Sequence, residues 1–178
     1  MRFLFGLLST VWLLFGWVCY SALQIEPPAP PPWHAAKDLQ RVSPDTLERD
    51  IARYSLLLGS ENLSGEHRAY THSTLATCYW LKTYFQDSRV RQIACLELSL
   101  RECFAVLQCK PEHPKFLANT YYRIADLNQQ LKRYNLTNEY YLKALKLDPK
   151  DFLIKTRYND FLKETGKEPI STGTEAKK

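Results

Sequence analysis

Hydrophobic residues recur at helical spacing along most of the chain, and the clearest case lies in residues 119–151. Two amphipathic stretches there flank a short polar break at residues 132–135, which leaves room only for an antiparallel hairpin. The first apolar face consists of Tyr121, Ile124, Ala125, Leu127 and Leu131. The second consists of Leu136, Tyr140, Tyr141, Ala144, Leu145 and Leu147. Pro149 ends the second helix, because proline disfavours the helical conformation of the residue before it.

The same periodicity predicts about six helices between residues 43 and 165, and therefore an all-α fold. The first begins at Ser43, a helix cap that is followed by proline at the first helical position. The others cover residues 67–85, residues 88–109, the two halves of the hairpin and residues 151–165. Gly166 fits a helix stop, and residues 166–178 are polar and predicted to be disordered.

The hairpin resembles a tetratricopeptide repeat, a 34-residue unit with an aromatic, a Leu-Gly pair, a second aromatic, an alanine and a final proline. The matching positions are Tyr121, Ile124, Ala125, Tyr134, Tyr141, Ala144, Leu145, Leu147 and Pro149. Asn128 stands where the family has an aromatic, and Thr137 where it has alanine. The resemblance implies a solenoid of stacked antiparallel hairpins over residues 43–165, with the last helix covering the end of the stack.

The amino-terminal part of the chain predicts a membrane anchor. The eighteen residues from Phe3 to Tyr20 carry no charge and would form about 27 Å of helix, close to the thickness of a bilayer core. We expect residues 1–23 to span the membrane with the amino terminus cytoplasmic and the helical domain on the periplasmic or lumenal side, because Arg2 precedes the apolar run. A signal peptide cleaved after Ser21, or a lipoprotein acylated at Cys19, are the alternatives. Residues 24–42, rich in proline, are predicted to be a semi-rigid linker.

Composition and motifs favour binding over catalysis. The net charge is +5, but the basic residues are scattered, so a nucleic-acid partner is not indicated.

Cys95 and Cys103 would lie about 12 Å apart along one helix, too far to share a metal ion. Cys78, Cys95, Cys103 and Cys109 are therefore expected to pack as small apolar residues, although disulfides stay open. His67 and His72 belong to no metal-binding motif and are expected to be surface or cap residues. With no nucleophile motif or phosphate loop, we expect no enzyme, no cofactor and no small-molecule substrate.

The family resemblance also implies where a partner would bind, because the first helices of such repeats line a groove that holds a peptide or helix. Projected onto this sequence, the groove residues are Ser73, Thr77, Trp80, Asn119, Tyr122, Asp126 and Gln129. Trp80 and Tyr122 are the candidate anchors, although aromatic residues at such spacing also suit a core. The lysine–asparagine clamp of chaperone-binding members is missing, which argues against a partner's terminal carboxylate and for a basic or apolar partner.

The resulting hypothesis is a non-enzymatic, membrane-anchored scaffold that mediates protein–protein interaction in the assembly of a membrane or envelope complex. The alternative is a permanent accessory subunit of such a complex, packed through both its transmembrane helix and its helical domain.

Overall fold

The computed structural model describes residues 42–61 and 63–170, and all regular structure in this part of the chain is helical. The α-helices are α1 (Pro44–Leu58), α2 (Gly65–Lys82), α3 (Arg89–Gln108), α4 (Pro114–Gln130), α5 (Tyr134–Leu147) and α6 (Phe152–Glu164). A short 3-10 turn, Thr83–Phe85, directly follows α2. The predicted all-α class is therefore confirmed for the described residues.

Local sequence signals account for where the helices begin. The Ser43 hydroxyl accepts a hydrogen bond from the Thr46 amide at 3.2 Å, and the Thr46 hydroxyl accepts one from the Ser43 amide at 2.9 Å. Such a reciprocal cap satisfies two backbone donors that have no partner inside the helix. The α2, α3 and α6 helices start in a similar way, with the side chains of Ser64, Ser88 and Asp151 accepting from the amide three residues on.

The turn between α4 and α5 is shorter than the polar break in the sequence. Lys132 adopts a φ of 59°, a left-handed conformation that reverses the chain without glycine. The α5 helix therefore begins at Tyr134, and Asn135, which the sequence places in the break, lies in its first turn. Its end agrees with the prediction, because α5 stops at Leu147, just before Asp148 and Pro149.

Neighbouring helices pack against one another, and α4 takes part in both apolar clusters of the core. One cluster joins α4, α5 and α6 and contains Ala118, Tyr122, Ala125, Tyr141, Ala144, Ile154, Tyr158, Phe161 and Leu162. The other joins α2, α3 and α4 and contains Ala76, Leu96, Leu100, Cys103, Ile124 and Leu127. Ala125 and Ala144 have no exposed surface, so small side chains do stand where α4 and α5 approach each other.

The predicted apolar face of α5 is only partly buried. Leu136 and Leu147, at the two ends of the helix, are 41% and 38% exposed. Two polar residues of the hairpin are buried, Thr137 on α5 and Asn128 on α4. The Thr137 hydroxyl donates to the Arg133 carbonyl at 3.1 Å, and the Asn128 side-chain amide donates to the Ile124 carbonyl at 2.7 Å. A hydrogen bond within the helix offsets part of the cost of burying each polar group.

The predicted anchor and most of the linker, residues 1–41, lie outside the described residues. Among the helices that are described, none combines the length and hydropathy of a membrane span. At the other end, the structure describes residues 166–170 of the tail that was predicted to be disordered, and Ile170 packs against the core cluster around α6.

Candidate interaction surface

Two of the predicted groove residues, Ser73 and Thr77 on α2, are buried against α4. The guanidinium of Arg123 donates from Nη1 to the Ser73 carbonyl and hydroxyl oxygens, each at 3.1 Å. Its Nη2 donates to the Thr77 hydroxyl at 2.8 Å. Both side chains are thus engaged in packing α2 against α4, and neither is presented to solvent for a partner.

Arg123 itself is only 4% exposed. Burial lowers the pKa of its guanidinium to about 10, which still leaves it charged at neutral pH. A charge in such a position is tolerated because several acceptors surround it. Arg123 was not singled out from the sequence, since an arginine in an amphipathic helix is normally a surface residue.

Trp80, near the end of α2, lies at the boundary between core and surface. Its ring packs against the cluster of α2, α3 and α4 and meets the ring of Tyr84 edge-on, with 5.3 Å between the centroids. Tyr84, in the 3-10 turn, is 60% exposed. Trp80 was predicted to contact a partner, but the exposed aromatic residue at this position is Tyr84, one helical turn further on.

Charged groups from α4 and α6 lie near Tyr84. Burial and the charge of Asp126 raise the pKa of the Tyr84 hydroxyl, while the charge of Arg157 lowers it. Asp126 is partly buried and accepts a hydrogen bond from the Gln130 amide at 2.8 Å. Arg157 is exposed. Side chains from the 3-10 turn, α4 and α6 thus lie within electrostatic range of one another.

Tyr122 lies beneath this surface and is buried. Burial and, to a smaller extent, the charge of Asp126 raise the pKa of its hydroxyl to about 12, although the charge and hydrogen bonding of Arg157 act to lower that pKa. Its ring also contacts that of Tyr141, with 6.2 Å between centroids. Tyr122 is therefore a core residue whose hydroxyl reaches the charged surface, rather than an exposed anchor.

Gln129 ties the same surface to the neighbouring helices. Its amide donates to the Glu164 carboxylate on α6 at 2.6 Å, and its carbonyl oxygen accepts from the Tyr141 hydroxyl on α5 at 3.3 Å. Asn119 is partly buried and lies on the same face of α4 as Asp126, seven residues earlier. The α4 members of the predicted groove therefore follow one face of that helix.

We define the interaction surface as Trp80, Tyr84, Asp126, Gln129 and Arg157. Three of these residues were predicted from the sequence. Tyr84 and Arg157 were missed, because Tyr84 follows the periodic part of α2 and Arg157 belongs to a helix that was expected only to cover the end of the stack. The spacing of Trp80 and Tyr84, four residues apart on one helical face, is the signal that was available.

A polar pair on the other side of α2 was also missed. His72 Nδ1 lies 2.7 Å from Glu102 Oε2, and the Arg101 guanidinium contacts the other carboxylate oxygen at 3.1 Å. Glu102 is buried. Burial acts to raise the pKa of its carboxyl, but hydrogen bonds and charges from His72 and Arg101 outweigh burial and hold that pKa below its usual value.

The described thiols and carboxylates form no metal-binding constellation. No group of three or more His, Cys, Asp or Glu side chains in residues 42–61 and 63–170 is arranged to hold a metal ion. Cys78, Cys95, Cys103 and Cys109 are free thiols. Burial raises the pKa of each, to about 12 for Cys78, so they are protonated at neutral pH and weakly nucleophilic.

The interaction surface presents an exposed aromatic ring and an exposed guanidinium, with a partly buried carboxylate and a partly buried amide beside them. No protein-family model, no curated protein and no solved structure matches the chain.

Proposed function

We propose that this chain is a membrane-anchored scaffold of the tetratricopeptide type, which binds another protein through the interaction surface and performs no catalysis. The observation that carries the proposal is that the charges of Asp126 on α4 and Arg157 on α6 both act on the hydroxyl of Tyr84 in the 3-10 turn. Residues of a single helix share a face by geometry alone, whereas a shared surface between elements depends on how they pack. Such a surface recognises a partner only in the folded protein.

The chemistry of the surface suits a peptide or helix. Tyr84 supplies a large exposed ring that loses little rotamer freedom on binding, the property that makes tyrosine a frequent anchor. Asp126 and Arg157 carry opposite charges, and both charges act on the Tyr84 hydroxyl. Together they would orient a polar or oppositely charged group of the partner, because charge complementarity contributes specificity more than affinity.

The assignment to the repeat class rests on the packing of α4 and α5. Their contact buries the two alanines and the tyrosine that carry the sequence resemblance: Ala125, Ala144 and Tyr141. The α2 and α3 helices form a second pair beside them, sharing a core cluster with α4. Successive helix pairs that contact their neighbours are the architecture of stacked repeats.

Membrane attachment is part of the proposal and rests on the sequence. The uncharged run from Phe3 to Tyr20 would hold the chain in the bilayer, with residues 24–42 as a spacer and the helical domain outside the cytoplasm. A partner would then be a peptide or subunit of a membrane or envelope complex. Deleting residues 1–23 should move the chain from the membrane pellet, after alkaline washing, to the supernatant.

Site-specific photo-crosslinking in intact membranes tests partner binding. A photo-reactive residue is placed at Tyr84 of the full-length chain, and the matched control places it at Leu142, an exposed apolar position on α5, outside the interaction surface. We expect one defined protein to be captured from Tyr84 and not from Leu142. Its capture should fall when Arg157→Glu is added, because the charge opposite the partner is reversed.

Equal capture of the same protein from Tyr84 and Leu142, or capture from neither, would contradict the proposed surface. Capture confined to residues 3–20 would instead favour the alternative, a permanent accessory subunit held through its transmembrane helix. Membrane attachment and partner binding are thus tested by separate readouts.

A further inference from the structure

The carboxy-terminal segment turns back onto the last described helix. Gly166 has a φ of +70°, and the Lys167 amide donates to the Leu162 carbonyl at 2.8 Å while the Gly166 amide donates to the Lys163 carbonyl at 3.1 Å. This pair of bonds is the Schellman motif, which ends a helix and reverses the chain direction. The residues that follow are therefore directed back along α6.

Asn159 receives this returning segment. Its side-chain oxygen accepts a hydrogen bond from the Ile170 amide at 2.8 Å, and its side-chain nitrogen donates to the Ile170 carbonyl at 3.2 Å. One amide side chain thus satisfies both backbone groups of a single residue. Asn159 is 8% exposed, so these bonds are largely shielded from water.

The length of the segment fits the distance it has to cover. The helix from Asn159 to Gly166 rises about 10 Å at 1.5 Å per residue. Extended chain from residue 167 to residue 170 spans up to about 13 Å. Pro169 has a fixed φ and no amide hydrogen, which suits an extended strap and lowers the entropy lost when it is ordered.

The Ile170 side chain adds an apolar contact. It packs against the cluster that contains Tyr158, Phe161 and Leu162 of α6. The terminal helix of a stack has no following helix to cover it, and an apolar end face would invite association with another molecule. The Ile170 side chain covers part of the apolar face of α6 that another molecule could otherwise contact.

We infer that α6 carries a docking site for an extended segment, built from Asn159 and the adjoining apolar face, and that the chain's own residues 168–170 occupy it. The site recognises one backbone amide and carbonyl pair through Asn159 and one branched apolar side chain through the cluster. It differs from the interaction surface in residues and in ligand, and it does not depend on the proposed function. While the tail is in place, the end of α6 is closed to other molecules.

Binding of a free peptide tests the site. The full-length chain in detergent is compared with a variant that stops after Lys167, and each is titrated with a synthetic peptide of residues 166–178. We expect the Asn159 side-chain amide signals in nuclear magnetic resonance spectra to shift saturably in the shortened variant. In the intact chain the shift should be at least about tenfold weaker at the same peptide concentration, because the tethered tail competes at a high effective concentration.

Two controls define the recognition. A peptide with Ile170→Asp should bind at least about tenfold more weakly, since it loses the apolar contact. Asn159→Ala in the shortened variant should abolish the saturable shifts of neighbouring α6 amides. The absence of any saturable shift with the natural peptide, or equal binding of the Ile170→Asp peptide, overturns the inference.

A measurement on the intact chain covers the case in which the shortened variant does not fold. The Ile170 amide hydrogen should exchange with solvent at least about tenfold more slowly than in the Asn159→Ala variant, because its acceptor is removed there. Equal exchange rates in the two chains overturn the inference. Self-association of the shortened variant that added peptide reverses would support it, and self-association that the peptide leaves unchanged would count against it.

Discussion

Arg123 of α4 donates a hydrogen bond to the Thr77 hydroxyl of α2 at 2.8 Å, across the contact between two helices that are not neighbours in sequence. The Thr77 hydroxyl itself donates to the Ser73 carbonyl at 3.0 Å, and this bond orients the oxygen that accepts from Arg123. This buried network links α2 directly to α4.

Replacing Arg123 should be costly. Arg123→Ala removes charge-assisted hydrogen bonds and leaves a cavity, and we expect the free energy of unfolding to fall by about 3–5 kcal/mol. Arg123→Met keeps most of the side-chain volume without the charge and should cost half as much or less. Urea unfolding of the full-length chain in detergent, followed by circular dichroism, measures both.

Arg133→Ala is the matched control for Arg123→Ala. Arg133 forms an exposed ion pair with Glu97 on α3, and such pairs contribute about 0–1 kcal/mol. A loss of equal size from the two alanine variants would contradict the role given to the buried network.

The Glu102 carboxylate should make stability depend on acid pH. The pKa of Glu102 is lowered in the folded protein, so the folded state binds its proton less readily than the unfolded state. The stabilisation is complete above the unfolded pKa, near the ordinary glutamate value of 4.5, and is lost as the pH falls through the folded pKa. The hydrogen bonds and charges of His72 on α2 and Arg101 on α3 lower that folded pKa.

Glu102→Gln isolates this contribution. At pH 7 the free energy of unfolding of the variant should be about 1–3 kcal/mol lower than that of the unaltered chain, because hydrogen bonds to a charged group are lost. The difference should shrink towards zero as the pH falls through the lowered folded pKa of Glu102, because the natural carboxyl then becomes neutral as well. A difference that stays constant from pH 7 to pH 3 would show that the charge of Glu102 is not the cause.

Asp126 should show the opposite dependence. Burial raises the pKa of its carboxyl, with hydrogen bonding from Gln130 and the charges of Arg157 and Arg123 acting against burial. An acid whose pKa is raised by folding stabilises the folded state most at low pH, and that contribution is lost as the pH rises through the folded pKa. Asp126→Asn should therefore raise the free energy of unfolding at pH 7 by up to about 1 kcal/mol and have no effect below about pH 3.

The control for Asp126→Asn is Asp45→Asn, an exposed carboxylate in the first turn of α1. That carboxylate interacts favourably with the helix amino terminus, so its removal should lower stability slightly, by about 0.3–1 kcal/mol. A loss of stability at pH 7 from Asp126→Asn would contradict the expected sign. Unfolding of the two variants measures the effect of Asp126 on stability. Crosslinking from Tyr84 measures its role in partner binding separately.

Local sequence rules account for most of the helix boundaries. Ser43 with Pro44 marks the start of α1, and Ser88 and Asp151 cap α3 and α6 within a residue of the predicted starts. These signals are readable because a cap and its partner amide lie three residues apart in the chain. The α4–α5 turn was predicted less accurately, because Lys132 adopts a positive φ, which is uncommon for lysine and cannot be predicted from the residue type.

The candidate site was harder to predict than the helices. Periodicity identifies one face of a helix but not which neighbouring helix covers it. Ser73 and Thr77 are covered by α4, and the residue that bonds to them, Arg123, is fifty residues from Ser73 in the sequence. Tyr122 is buried for the same reason, since α5 and α6 pack over it. Asp126 and Gln129 remain near the surface, and Tyr84 and Arg157 join them only through tertiary packing.

Two phenylalanines of α6 provide a direct test of how that helix packs. Phe161 has no exposed surface and lies among the rings of Tyr134, Tyr141 and Tyr158 at centroid distances of 5.9–6.3 Å, whereas Phe152 is 77% exposed. Phe161→Ala should lower the free energy of unfolding by about 3–5 kcal/mol, because it leaves a cavity in the cluster of α4, α5 and α6. Phe152→Ala removes the same atoms from the same helix and should change stability by no more than about 0.5 kcal/mol. Urea unfolding of both variants measures the difference, and equal losses would mean that α6 does not pack in the described orientation.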